Sequence, residues 1–326
     1  MIDPKRRLCL LAAAMLCVLS FAPAHGQQTY PDRPIRLLVG FQAGSSSDVA
    51  ARVIAQKLSE ILKNPVVVEN RPGNSSDVAA KAVAASAPDG YTLYLATVAN
   101  TINSAAKGAA ATDLTTALMP IAQIGEVANI LVVNPDVPVK TVPDVIRLAK
   151  EKPGDLTYAS TGSGSALHMA AELFSNMAGV TLLHVPYQGS AAAMPDLLTG
   201  RTAIMFAPAS TVVTFLQSGK LRAIASATAK RMPGMPDLPT AAEQGLPGFE
   251  SSVWFGILAP VGLPEPIAKK LEDAILQASS SPDVIEQFKP QGIDAIRRDR
   301  AAFTDYVKSE TAKWSKVIAD RGLKMN

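Results

Sequence analysis

Two short runs of hydroxyl and glycine residues carry the strongest chemical signal in this chain. They are Phe41-Gln42-Ala43-Gly44-Ser45-Ser46-Ser47-Asp48 and Ser160-Thr161-Gly162-Ser163-Gly164-Ser165. Each follows an apolar strand-like run, Ile35 to Phe41 or Leu156 to Ala159, and each leads into a helical pattern. The first N–H groups of a helix have no intrahelical acceptor, and the helix dipole places partial positive charge on them. A strand–turn–helix junction rich in Ser and Gly is therefore suited to hold an anion. In the second run the glycines also let the backbone fold back so that N–H groups converge. Taken alone, either run is a tight connection capped by a serine. The pair, each at a strand end, favours a two-sided clamp. Four hydrogen bonds to a charged group, at roughly 1.5–3 kcal/mol each, approach the ~8 kcal/mol of a micromolar complex without any arginine.

Neighbouring residues have weaker claims. Asp48 suits the positive end of the first helix and serves as a cap or a ligand contact. His168 stands one helical turn after Ser165. It and His184 read first as packed or capping residues, while Tyr187 at a strand end can present its hydroxyl to a cleft. Arg297, Arg298 and Arg300 read as a solvated face, and Trp254 and Trp314 as packing residues. An enzyme has little support. Gly162-Ser163-Gly164-Ser165-Ala166 is not a Gly-x-Ser-x-Gly elbow, and no Walker loop, dinucleotide fingerprint or histidine-pair metal motif occurs. No cofactor or metal is expected.

The elements that must position these residues alternate. Strand-like Val66–Asn70, Tyr91–Ala96, Ala128–Val133, Val180–Val185, Thr202–Phe206, Leu221–Ala227 and Ser252–Ala259 are interspersed with helical segments, among them Asp77–Ala87, one beginning near Thr141-Val142-Pro143-Asp144, and Pro264–Ser279, Pro282–Phe288 and Arg300–Asp320. This order indicates an α/β protein with parallel sheets. Val49, Val53, Ile54, Leu58 and Ile61 mark the apolar face of the first helix. The long strands near 128–133 and 252–259 flank a middle block. The chain then divides into lobe one, residues 27–126 plus 256–326, and lobe two, residues 127–255, joined by two crossings with a ligand cleft between them. No internal repeat is evident.

The beginning of the chain reads as an export signal over residues 1–26: Lys5, Arg6 and Arg7, then an apolar run from Leu8 to Leu19, then small-residue cleavage candidates at Ala22-Pro23-Ala24 and Ala24-His25-Gly26. Both cysteines, Cys9 and Cys17, fall inside it, so no disulfide, thiol nucleophile or thiolate site is expected beyond it. Three of the 31 Lys+Arg and one of the 28 Asp+Glu also fall there, leaving 28 against 27. Such a balance gives no case for nucleic acid or an anionic membrane as partner.

Six ordered motifs together resemble the substrate-binding proteins of tripartite tricarboxylate transporters, the Bug family. They are Tyr30-Pro31-Asp32-Arg33-Pro34-Ile35-Arg36, Val66-Val67-Val68-Glu69-Asn70-Arg71-Pro72-Gly73, Ala87-Pro88-Asp89-Gly90-Tyr91-Thr92-Leu93, Tyr158 to Ser165 with His168, His184-Val185-Pro186-Tyr187-Gln188-Gly189, and Trp254-Phe255-Gly256-Ile257-Leu258-Ala259-Pro260. The resemblance implies a type II periplasmic-binding fold, two α/β lobes on a two-strand hinge, that closes on a small carboxylate. It implies two pincer loops, here Phe41, Gly44, Ser45, Ser46, Ser47 and Asp48, and Ser160, Thr161, Gly162, Ser163, Gly164 and Ser165, with His168 and Tyr187 nearby. It further implies a periplasmic monomer that is not an enzyme and delivers a di- or tricarboxylate or aromatic acid to a membrane permease. A sensor presenting to a kinase, or a hydrolase or transferase on the same fold, is the alternative. The chain departs from the family pattern at Gln42 to Ser47, at Asn74-Ser75-Ser76-Asp77 where glycines are usual, and at Ala207 where an acid is usual. The added hydroxyls and the lost acid point to a ligand without an amino group.

Overall fold

A computed structural model describes residues 30–324, and the export signal expected over residues 1–26 lies outside them. The chain runs through β1 (Ile35–Val39), α1 (Ser46–Leu62), β2 (Val66–Asn70), α2 (Asp77–Ala84), β3 (Thr92–Thr97) and α3 (Val98–Lys107). The long β4 (Leu118–Val133) follows, then α4 (Val142–Glu151), β5 (Thr157–Ser160), α5 (Ala166–Ala178), β6 (Leu183–Pro186), α6 (Ser190–Leu198), β7 (Ile204–Pro208), α7 (Ala209–Gln217) and β8 (Arg222–Ser226). The last elements are β9 (Ser252–Pro260), α8 (Glu265–Ser279), α9 (Pro282–Phe288), β10 (Ile293–Arg298) and α10 (Arg300–Arg321).

The strands form one mixed sheet in the order β2-β1-β3-β9-β4-β7-β5-β6, with β8 and β10 also pairing with β4. Its two halves are each built around parallel βαβ connections, β1 with β2 and β3 and β5 with β6 and β7. Burial explains β4. Nearly every residue of Leu118–Val133 is covered, so it reads as a continuous apolar run rather than an alternating one. Up to Ala128 it pairs with β9 and β10; from Asn129 it pairs with β7 and β8. The chain returns at the same place, where the Asn129 side-chain amide donates to the Ser251 carbonyl at 3.1 Å and the Ser251 N–H to the Ala227 carbonyl at 2.8 Å.

The expected strands and helices are present within a few residues. Five elements were not anticipated: α3, the first half of β4, α6, α7 and β10. In α1 the buried face is made by Ala50, Ala51, Ile54, Ala55 and Leu58, whereas Val49, Val53 and Ile61 are only half-buried. Small residues let the helix lie close to the sheet, and the β-branched ones flank it. Trp254 and Trp314 are fully buried, and both indole N–H groups donate to one oxygen of Glu310, at 3.3 and 3.2 Å. Arg298 is not simply solvated: its guanidinium lies 4.1 Å from the Tyr306 ring centre and donates to the Gln123 side chain. Arg300 pairs with Glu265.

Candidate functional site

The first Ser/Gly loop is held by its own residues. Ser45 caps α1 in extended conformation (φ −69°, ψ 159°), and its hydroxyl accepts from the Asp48 N–H at 3.2 Å. Gly44 takes φ 82°, in the left-handed region, which turns its N–H onto the Asp48 carboxylate at 2.9 Å. Asp48 also accepts from Asn70 Nδ2 at 2.8 Å and from Arg52 Nε at 3.0 and 3.1 Å. Burial raises the carboxyl pKa, but these donors more than offset it, so Asp48 is held below the ordinary carboxylate range.

The second loop repeats that geometry. Ser165 caps α5 with the same φ −69° and ψ 159° and accepts from the His168 N–H at 3.2 Å. Gly164 takes φ 76° and donates its N–H to His168 Nδ1 at 3.1 Å, so His168 stands where Asp48 stands in the first loop. The turn hydrogen bonds match as well, Ser45 N–H to the Gln42 carbonyl and Ser165 N–H to the Gly162 carbonyl, both 3.2 Å. The repeat is one of backbone form carried by Gly-Ser-x-x-acceptor, with Asp in one copy and His in the other. That spacing is the signal that would have revealed it in the sequence.

Behind the second loop lies a stack of rings. His168 packs on His184 with ring centres 4.2 Å apart, and His184 on Tyr158 at 4.8 Å. Tyr158 donates to Glu172 at 2.6 Å, Arg321 closes on the same carboxylate at 2.8 Å, and His184 Nε2 lies 2.6 Å from Ser160 Oγ. Burial, assisted by the neighbouring His184, lowers the His168 pKa to about 4. His184 is lowered by burial too. A neutral His168 is what the loop needs, because its Nδ1 must accept from Gly164.

Both loops face one cavity of about 380 Å³. Ser45, Ser46 and Ser47 line it from the first loop and Ser163, Gly164, Ser165 and Ala166 from the second, with Phe41 and Val253. A third helix start joins them. Thr97 caps α3, accepting from the Ala99 N–H at 3.2 Å, while Asn100 accepts from the Thr97 N–H at 3.0 Å. Sheet register explains the convergence. Thr97 at the end of β3 pairs with Phe255, Ser252 with Ala128, and Asn129 with Pro208, so the carboxyl ends of the parallel strands in both halves meet where β4 and the chain's return cross. Among the described residues, the Ser46, Ser47, Ala166 and Leu167 N–H groups have no protein acceptor, as expected for first-turn amides.

One face of α3 continues the wall through Val98, Ile102 and Ala106 and through Ala99, Asn103 and Lys107, with Ser75 beside it. Ser75 belongs to an unusual turn in which Asn74, Ser75 and Ser76 all have positive φ (46°, 51° and 75°), a conformation that costs non-glycine residues energy. The turn is anchored by Ser76, whose hydroxyl lies 2.5 Å from the Tyr94 hydroxyl. A Cβ on Gly40 would stand 1.7 Å from Ser76 Oγ, so that position admits only glycine.

Of the residues singled out in the sequence, Phe41, Ser45, Ser46, Ser47, Ser163, Gly164 and Ser165 line the cavity. Gly44, Asp48, Ser160, Thr161, Gly162, His168 and Tyr187 do not. Gly44, Asp48, Ser160, Gly162 and His168 shape the loops from behind, and the Tyr187 hydroxyl donates to Asp196 at 2.8 Å. Sequence reasoning flagged Ser75 as an added hydroxyl without placing it in the site, and missed Thr97 and the whole α3 wall. The Thr97–Asn100 capping pair was the available clue.

Comparison with known proteins decides the family. Residues 50–323 match the model of the tripartite tricarboxylate transporter family receptor. The chain belongs to that family. It is a periplasmic solute-binding protein of the Bug type. It is 33% identical to the protein BugT of Bordetella pertussis over 98% of both chains. Among solved structures it is similar to Rpa4515 of R. palustris with adipate (34% identity, TM-score 0.74, covering 90% of this chain and 98% of that one) and to the periplasmic binding protein BugD (30% identity, TM-score 0.71, 90% and 99%). The type II periplasmic-binding fold expected from the sequence is the fold observed.

Proposed function

We propose that this receptor captures a small carboxylate lacking an amino group in the cavity between the two Ser/Gly loops and delivers it to a membrane permease of the tripartite tricarboxylate type. The observation that carries this is the convergence of three helix N-termini and a row of serine hydroxyls on a cavity whose lining, among the described residues, holds no Asp or Glu. Open amides and dipole ends stabilise a carboxylate. An ammonium group would meet the same donors with no acid to receive it, since Asp48, behind the first loop, is already committed to Gly44, Arg52 and Asn70. The similar Rpa4515, solved with adipate, supports a carboxylate ligand.

Binding works here by differential affinity. The lobes, residues 27–126 plus 256–326 and residues 127–255, would pivot where β4 changes partners at Ala128/Asn129 and the chain returns at Ser251, and a ligand touching both loops favours the closed arrangement. Catalysis is not part of the proposal: among the described residues no nucleophile lines the cavity beside a free base, because His168 is occupied by Gly164 and His184 by Ser160.

The test is a thermal-shift screen against mono-, di- and tricarboxylates and amino acids. At about 100-fold over the dissociation constant a ligand stabilises by about 2.7 kcal/mol. Ser46→Ala and Ser163→Ala should each weaken binding of the responding acid at least about tenfold with an unchanged melting point, each removing one hydroxyl donor to a charged group. Stabilisation by amino acids alone, or unaltered affinity in both variants, would refute the assignment.

A further inference from the structure

We propose that the ligand is an elongated dianion, a dicarboxylate with an apolar middle, and that Lys107 holds the carboxylate remote from the two Ser/Gly loops. The inference rests on the receptor reading above. Among the described residues Lys107 is the sole charged side chain lining the cavity and has no ion-pair partner, the carboxylate of Asp77 being paired with Lys81. Its ammonium donates instead to the neutral Asn74 Oδ1 at 2.7 Å, which leaves two of its three donors and its whole charge for a ligand. Asn74 is positioned for this by the left-handed turn, where it takes φ 46° and its amide reaches toward Asp77 at 3.4 Å.

The shape of the cavity sets the ligand's length. α3 begins at the crossing of the two sheet halves, where the other helix N-termini gather, and leads away from it. Nine residues at 1.5 Å rise place Lys107 about 13 Å beyond Val98 along the axis. Helix side chains lean toward the N-terminus, so the ammonium points back over the cavity and shortens that span. Between the two polar ends the wall is Val98, Ala99, Ile102 and Ala106, with Asn103 its polar member. A compact acid would fill the loop end and leave the ammonium unused. A chain of several methylenes, or one aromatic ring, between two carboxylates would satisfy both ends and bury its middle on the apolar stretch.

Titration calorimetry of the protein with adipate and suberate and with the chain-matched monoacids hexanoate and octanoate tests this, in the wild type and in Lys107→Gln. The wild type should bind a diacid at least about tenfold more tightly than its monoacid, the lower end of what a hydrogen bond to a charged group contributes. In Lys107→Gln that ratio should fall to within about twofold of one, with monoacid affinity unchanged and the melting point intact. Monoacids binding as tightly as diacids, or a ratio indifferent to the substitution, would overturn the role of Lys107 and leave the carboxylate receptor standing. Binding of none of these four acids while a compact acid such as malate or citrate binds would overturn this inference and leave the receptor standing, whereas binding of no carboxylate at all would remove both.

Discussion

Asp48→Ala is the substitution whose cost can be worked most fully from the structure. The Asp48 carboxylate is 3% exposed as a residue and accepts from the Gly44 N–H at 2.9 Å, from Asn70 Nδ2 at 2.8 Å and from Arg52 Nε. The Arg52 side chain is half exposed, so that pair contributes no more than about 0.5 kcal/mol. The other two donors are part-buried, and each hydrogen bond to the charged carboxylate contributes about 1.5–3 kcal/mol, the Asn70 share offset in part because Asn70 keeps its bond to the Phe41 carbonyl. A total near 3 kcal/mol follows, which for a protein of this size lowers the melting point by roughly 5 °C. Differential scanning calorimetry at pH 7 reads it, with Arg52→Ala as the companion variant expected to lose under about 2 °C. The loss should extend to affinity, since a ligand must then order the loop. A fall of less than about 2 °C in Asp48→Ala, or equal falls in both variants, would refute the view that this carboxylate, and not the surface ion pair, holds the first loop.

Other outcomes follow from the same geometry. Ser75→Gly relieves a left-handed serine at φ 51° and should raise stability by about 0.5–1 kcal/mol after the added chain entropy of glycine; a lowered melting point would contradict it. His168 titrates near 4 when folded against 6.5 ordinarily, so the unfolded chain binds the proton more readily between those values. Stability should therefore be flat above about pH 6.5 and fall toward pH 4, by up to about 3 kcal/mol, and urea melts should show His168→Gln losing most of that slope. A slope unchanged in the variant would rule out His168 as its source. Gly256→Ala places a Cβ 2.1 Å from the ring of fully buried Phe303 and should cost at least about 2 kcal/mol in denaturant melts, whereas a neutral result would mean the ring has room to move.

The parts of the fold written in short-range pattern were legible from the sequence. Ser45 and Ser165 announce helix starts because their side chains cap, and Pro264 and Pro282 announce others by their fixed φ. α3 was not legible because Asn100, Thr101, Asn103 and Ser104 are poor helix formers, and packing of the helix against α10 and the sheet, which buries all but Ser104 of them, overrides propensity. β10 hides in the charged stretch Ile293–Arg298, held by pairing with β4 that no local signal records. The loops of the site were found by composition. Their equivalence was not, because Asp48 and His168 share no chemistry except the ability to accept one backbone N–H. Tyr187 was named for its place at a strand end, but its hydroxyl is committed to Asp196.

The measurement that bears most directly on the proposed site is a crystal structure of the protein with adipate. One carboxylate should lie within hydrogen-bond distance, about 2.7–3.2 Å, of the Ser46 or Ser47 N–H and of a donor from the second loop, Ser163 or Ala166, with the other directed at Lys107. A ligand seated elsewhere, such as against Met232 and Met235 beside Ile293, would contradict the two-loop clamp.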